Sequence, residues 1–193
     1  MSFGLEIITR LVCAPLCLAA ALSHAGPNPL PSLVVNDVNE TARRPFDPQE
    51  KLASVLFFYW HDCPVCNSYA PEINRICETY TNVAFYIVQV DPDLTTADAK
   101  KHSKEYGLRA PVLLDPRHRL VKLAKATVTP EAVVLGQNGQ LHYRGRIDDL
   151  YAGLGKKRAA ATQHDLREIL DAIRAGKPLK KRETKAVGCT IQM

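Results

Sequence analysis

The chain has 193 residues, of which 46% are hydrophobic and 23% charged, the balance of a folded domain with extensions. Its net charge of +5 is concentrated late, where ten basic residues stand against four acidic ones between Lys156 and Lys185. No aromatic residue lies in that stretch, so the stacking partners of a single-stranded nucleic-acid site are missing. It reads as a solvated basic face, and no nucleic-acid partner is expected.

In chain order, Arg10 precedes the apolar run Leu11–Leu22, and Ser23-His24-Ala25 places small residues where a signal peptidase reads. Residues 1–25 are therefore expected to be an export signal; the run is shorter than the ~20 apolar residues of a spanning helix. Cys13 and Cys17 would leave with it. Residues 26–50, with five prolines before Glu50, read as an extended lead-in. Ser54–Trp60 is nearly continuously apolar, as in a strand buried on both faces. Pro64 to about Tyr80 carries Tyr69, Ile73, Ile76 and Tyr80 at helical spacing, with Pro71 inside.

Val83–Val90 is a second strand, closed by Asp91-Pro92-Asp93. Thr95–Tyr106 reads as a helix ended by Gly107. Pro111–Asp115 is a short strand and His118–Ala126 a short helix. Glu131–Leu135 and Leu141–Arg146 are strands joined through Asn138-Gly139, a strong hairpin signal. Gln163–Ala175 is a last helix, with Thr162 and Asp165 as an expected cap and Leu166, Ile169, Leu170 and Ile173 facing inward. Residues 177–193 form a basic tail without clear period. Strands alternating with helices imply an α/β fold: a mixed central sheet with helices on both faces.

The chemistry lies in Cys63-Pro64-Val65-Cys66, at the junction of the first long strand and a helix. There the first sulfur meets the unpaired N–H groups of a helix start, which favour the thiolate. A second sulfur one turn on is close enough to form a small disulfide ring. A lone CxxC is a poor zinc signal, and a chain of this length needs no disulfide staples. The pair therefore reads as redox-active, with no metal and no organic cofactor, since the dithiol carries the electrons. His61 and Asp62 flank it in opposite senses: an imidazolium favours a neighbouring thiolate and a carboxylate disfavours it. Both are candidate tuning residues. His102, His118, His142 and His164 lack partner spacing and read as surface residues. Cys77, beside the inward Ile76, reads as a buried inert thiol. Cys189 is a free thiol, a partner for Cys77, or a third redox sulfur reaching Cys63.

This element order resembles the thioredoxin superfamily. The residues that carry the likeness are the CPVC at a strand end, Val128-Thr129-Pro130 before a later strand, and Asn138-Gly139 leading to Arg144-Gly145. Within that superfamily the chain is similar to the exported redoxin group (TlpA-like and AhpC/TSA-like thiol proteins), whose additional helix and strand Thr95–Asp115 would supply. The resemblance covers roughly 51–176 and implies a three-layer thioredoxin-like sandwich. It implies Cys63 as attacking thiolate, the more exposed of the pair, and Cys66 as resolving thiol. Pro130 would be the cis-proline, holding Thr129 where a substrate chain pairs.

The activity implied is that of an exported thiol-disulfide oxidoreductase, periplasmic or extracellular. It would act on protein thiols and disulfides, with a redox recycling partner that is membrane-bound or periplasmic. The chain departs from thioredoxin in Val65 and in Phe57, which stands where thioredoxin keeps a buried acid. It departs from peroxiredoxins in Trp60, which stands where they keep a threonine. A thiol peroxidase is the first alternative. A copper-binding assembly protein using Cys63, Cys66 and a histidine is the second.

Overall fold

The structure, a computed structural model, describes Met1 and residues 33–193; the expected export signal lies outside the described residues. Two short strands, β1 (Val35–Asn36) and β2 (Ala42–Arg43), form a hairpin in what was expected to be an extended lead-in. The Asp37 carboxylate organises it, accepting from the backbone of Asn39 and Thr41 and from the Arg43 guanidinium. Val38 and Phe46 are buried and anchor the segment to the domain, an apolar gain that proline content alone does not reveal.

Next come β3 (Ala53–Tyr59), α1 (Pro64–Thr79), β4 (Val83–Gln89), α2 (Thr96–Glu105), β5 (Val112–Leu114) and α3 (Arg119–Ala124). After them run β6 (Val128–Thr129), β7 (Glu131–Gly136), β8 (Leu141–Gly145), β9 (Tyr151–Gly153), β10 (Lys156–Lys157) and α4 (Asp165–Arg174). The chain closes with β11 (Arg182–Glu183) and β12 (Cys189–Thr190). The six-stranded central sheet has the order β11-β8-β7-β3-β4-β5. β3, β4 and β5 run parallel, β7 is antiparallel to β3 and to β8, and β11 is parallel to β8.

All seven residues of β3 are buried, because alternate side chains enter two cores. Val55, Phe57 and Tyr59 face α1 and α4, joining Ile73, Ile76, Leu166 and Leu170. Leu56 and Phe58 face the other layer with Leu120 and Val121 of α3. The mixed sheet with helices on both faces is thus present. Asn138-Gly139 makes the expected turn, with Gly139 at φ 68° and its N–H on the Gly136 carbonyl; only a residue without a Cβ takes that conformation freely.

Three expectations are corrected. Thr162 does not cap α4: its N–H and hydroxyl both go to the Asp149 carboxylate, and the helix starts after His164. Asp165 turns instead to the guanidinium groups of Arg146 and Arg182. His102 and His118 are buried rather than on the surface. His118 bonds the Val90 carbonyl at 2.7 Å, and His102 packs between Tyr59 and Tyr106. His142 is half-buried and His164 exposed.

The segment 177–193 is held to the domain from Arg182 onward. Arg182 reaches Asp165 and Glu168, Glu183 reaches Arg144, and the Thr184 hydroxyl meets Tyr143 and the Arg146 N–H. Gly145, at φ 151°, passes so close to Thr184 that any Cβ there would collide with it. The strongly basic run is accordingly split: its arginines are spent on carboxylates, several from other elements.

Candidate active site

The loop Trp60-His61-Asp62 leaves β3 and folds back through the Cys63 N–H, which bonds the Trp60 carbonyl at 3.0 Å. Cys63 is the N-cap of α1, with extended backbone (φ −82°, ψ 114°) and Pro64 inside the first turn. Proline suits that position because its missing N–H has no intrahelical partner there. Cys66 lies one turn on. Opposite them, the Thr129–Pro130 peptide bond is cis, and the Thr129 carbonyl accepts from the Cys63 thiol at 3.6 Å. The structure thus brings Cys63, Cys66, Thr129 and Pro130 together.

The two thiols are displaced in opposite directions. Cys63 is pulled down to about 5, first by the Cys66 S–H bond, against burial, and then by the Cys189 thiol and by the backbone N–H groups of Cys66 and Cys189. Cys66 is pushed up, first by burial and then by the Cys63 charge it faces. One sulfur is thus ionised near neutrality while its neighbour holds a proton.

Cys63 was expected to be the more exposed of the pair. Instead both are fully buried, at 0% exposure. The cover is local: Thr129 lies on one side and β12 crosses over it, pairing antiparallel to β6 with Cys189 opposite Thr129 and Thr190 opposite Val128. The Cys189 thiol is within hydrogen-bonding reach of Cys63, and burial first, then that charge, pushes it up to about 12. Among the three readings of Cys189, a link to Cys77 is not reached. Fourteen residues of helix put Cys77 about 21 Å along α1 from Cys63. Cys77 is half-buried against the core, and burial pushes its thiol up to about 12.

His61 stands between two carboxylates, Nε2 3.2 Å from Asp62 and Nδ1 3.4 Å from Asp91. Sequence reasoning missed the network behind it. The Tyr59 hydroxyl donates to Asn67 Oδ1 at 2.9 Å, the Asn67 amide donates to the His61 carbonyl at 2.8 Å, and His102 Nε2 meets Asn67 Oδ1 at 3.0 Å. Asn67 therefore ties the loop before Cys63 to the helix after it. Burial first, and then the neighbouring His61, lower the His102 imidazole from its ordinary range, disfavouring its charged form. One signal was available: Ala99 and His102 of α2 and its C-cap Tyr106 recur at helical spacing. Among the described residues no group of three or more His, Cys, Asp or Glu side chains converges to hold a metal ion.

The AhpC/TSA family profile matches residues 28–144, while no curated protein matches the chain. Solved structures do. An uncharacterized conserved protein from Geobacillus kaustophilus superposes with a TM-score of 0.75 at 24% identity, covering 86% of this chain and 90% of that one. A hypothetical protein from Sinorhizobium meliloti 1021 gives 0.72 at 23%, covering 85% and 92%. A secreted disulfide oxidoreductase of Mycobacterium tuberculosis, homologous to E. coli DsbE, gives 0.54 at 17%, covering 75% and 96%. These likenesses show a thioredoxin-like fold, the mixed sheet that carries the CxxC at a strand end. With more than half its length matched by the family profile, the chain belongs to the AhpC/TSA family.

Proposed function

We propose that the protein is an exported thiol-disulfide oxidoreductase that exchanges disulfides with protein thiols, Cys63 attacking and Cys66 resolving. The observation that carries this reading is the placement of two adjacent sulfurs at one helix start, Cys63 as N-cap and Cys66 one turn on, against the cis Thr129–Pro130 bond; their opposed acidity, Cys63 down to about 5 and Cys66 up, accords with it. In the reductive direction the Cys63 thiolate attacks a substrate disulfide, forming a mixed disulfide and expelling one substrate thiolate. Cys66 then loses its proton and attacks Cys63, and the second substrate thiolate leaves. Two electrons and the single Cys66 proton pass to the substrate, which leaves as one thiol and one thiolate that takes its proton from solvent, and a Cys63–Cys66 disulfide remains. Thr129, beside cis-Pro130, would bind the substrate backbone; His61 and Asp62 would adjust the loop.

Export rests on residues 1–25 and accords with the secreted neighbour. Outside the cell the couple needs a redox recycling partner, membrane-bound or periplasmic. The test is turnover of a protein disulfide such as insulin. Cys63→Ser abolishes it, and Cys66→Ser traps a mixed disulfide through Cys63; full turnover by Cys63→Ser would overturn the reading. A reduction potential near roughly −270 mV would mark a reductant and one near −120 mV an oxidant. Peroxide reduction is the second reading, favoured by Cys189 standing beside Cys63 as an alternative resolving thiol. Peroxide turnover that survives Cys66→Ser but not Cys63→Ser would select it.

A further inference from the structure

A buried Cys63 conflicts with any role as an attacking thiolate unless its cover moves. Beside the fixed Thr129, the part of that cover not built into the central sheet is one short strand, β12, and its placement is specific. β6 offers one free edge beside the cis-proline, and β12 takes it, with the Ile191 N–H on the Thr127 carbonyl and the Thr129 hydroxyl on the Cys189 carbonyl at 3.4 Å. An incoming polypeptide that paired with Thr129 would need the same edge. Gly188 lies so close to the Thr129 carbonyl that any Cβ would collide with that backbone oxygen. The next residue presents a thiol to the Cys63 sulfur.

Space continues on both sides of the strand. A cavity of about 510 Å³ is bounded by Tyr151, Leu154, Lys185 and Gly188. A smaller one of about 150 Å³ is bounded by Trp60, Pro92, Thr190 and Ile191. Leu154, 68% exposed, lines the first and Trp60, 36% exposed, lines the second. β12 therefore lies between two cavities that its own residues help to line, each with an exposed apolar side chain in its wall, features that suit an extended chain laid along the strand.

We propose that Gly188–Ile191 is a resident substrate mimic: it occupies in cis the strand position of an incoming polypeptide, and Cys189 forms an alternative disulfide with Cys63 that locks it there. This rests on the reading of Cys63 as the reacting thiol. Starting from the Cys63–Cys66 disulfide, the Cys189 sulfur attacks Cys63, the Cys63–Cys66 bond breaks, and its electron pair leaves on Cys66. The proton given up by Cys189 ends on Cys66. No external oxidant is consumed, because one internal disulfide replaces another. In the reduced protein Cys189 acts differently, donating its S–H to the Cys63 thiolate while β12 shields it. Substrate reaches Cys63 only when β12 leaves β6, and the apparent reactivity falls by the fraction of molecules in the open state.

Two measurements on the full chain test this, beside insulin turnover by the wild-type protein. In Cys66→Ser, oxidised glutathione caps Cys63 and Cys189 displaces the cap, reducing one glutathione disulfide to two thiols in all. Peptide mapping without reductant then finds Cys63 joined to Cys189. In Gly188→Ala the strand cannot seat, and Cys63 reacts with iodoacetamide about tenfold faster than in the wild type at a pH where it is fully ionised. Cys63 left glutathionylated with no Cys63–Cys189 peptide overturns the proposal, and so does an alkylation rate unchanged by Gly188→Ala. If both expected results appear but no insulin is turned over, the inference stands and the proposed activity falls. If insulin is turned over but either result is missing, the inference falls alone.

Discussion

Replacing Cys66 by alanine tests the electrostatics of the pair directly. The Cys66 S–H bond is the largest cause holding Cys63 down to about 5 from an ordinary 9.0, with Cys189 contributing less. At pH 7 a thiol titrating near 5 is roughly 99% thiolate, whereas one near 9 is about 1% ionised, a difference of about 100-fold. Ultraviolet absorbance of the thiolate, followed against pH, reads this without requiring access to the buried sulfur. The wild-type midpoint is expected near 5. Cys66→Ala should move it well up toward the free-thiol range, and Cys189→Ala should move it up by less. A stability effect follows with a definite sign. The folded value lies below the unfolded one, so ionised Cys63 stabilises the reduced protein fully above about pH 9. That contribution is lost as pH falls through about 5. Cys66 and Cys189 are displaced the other way and weigh only above the unfolded range. A wild-type midpoint near 9, or one that Cys66→Ala leaves in place, would refute the account.

Two further outcomes concern the scaffold. Ile73 is fully buried where α1 meets the sheet, so Ile73→Ala should cost about 2–5 kcal/mol in denaturant unfolding. Asp165 is buried and shared by Arg146 and Arg182. Asp165→Ala should cost about 2 kcal/mol, since Arg146 loses its carboxylate while the partly exposed Arg182 keeps Glu168. The same change also loosens β11, which should show as faster amide exchange between Arg182 and Thr184.

The fold was legible because its signals are local. β3 is apolar throughout since both its faces are covered, α1 repeats its apolar residues at helical spacing, and Asn138-Gly139 suits one turn. The CxxC was legible for the same reason, as strand end, helix start and two sulfurs lie within a few residues of one another. The network around Asn67 was not, because a polar residue in the first turns of a helix carries no mark of the tyrosine and histidine that meet it.

What the residues determined unaided is therefore the α/β architecture and the placing of two cysteines, Cys63 and Cys66, at one helix start, each set by neighbours along the chain. Only the tertiary structure decided the state of that pair. Residues 177–193 show no period, and their two-residue strands gain almost nothing until β8 and β6 offer edges for them to join. The burial of Cys63, and the thiol of Cys189 beside it, come from contacts across more than a hundred residues of sequence, where spacing carries no information.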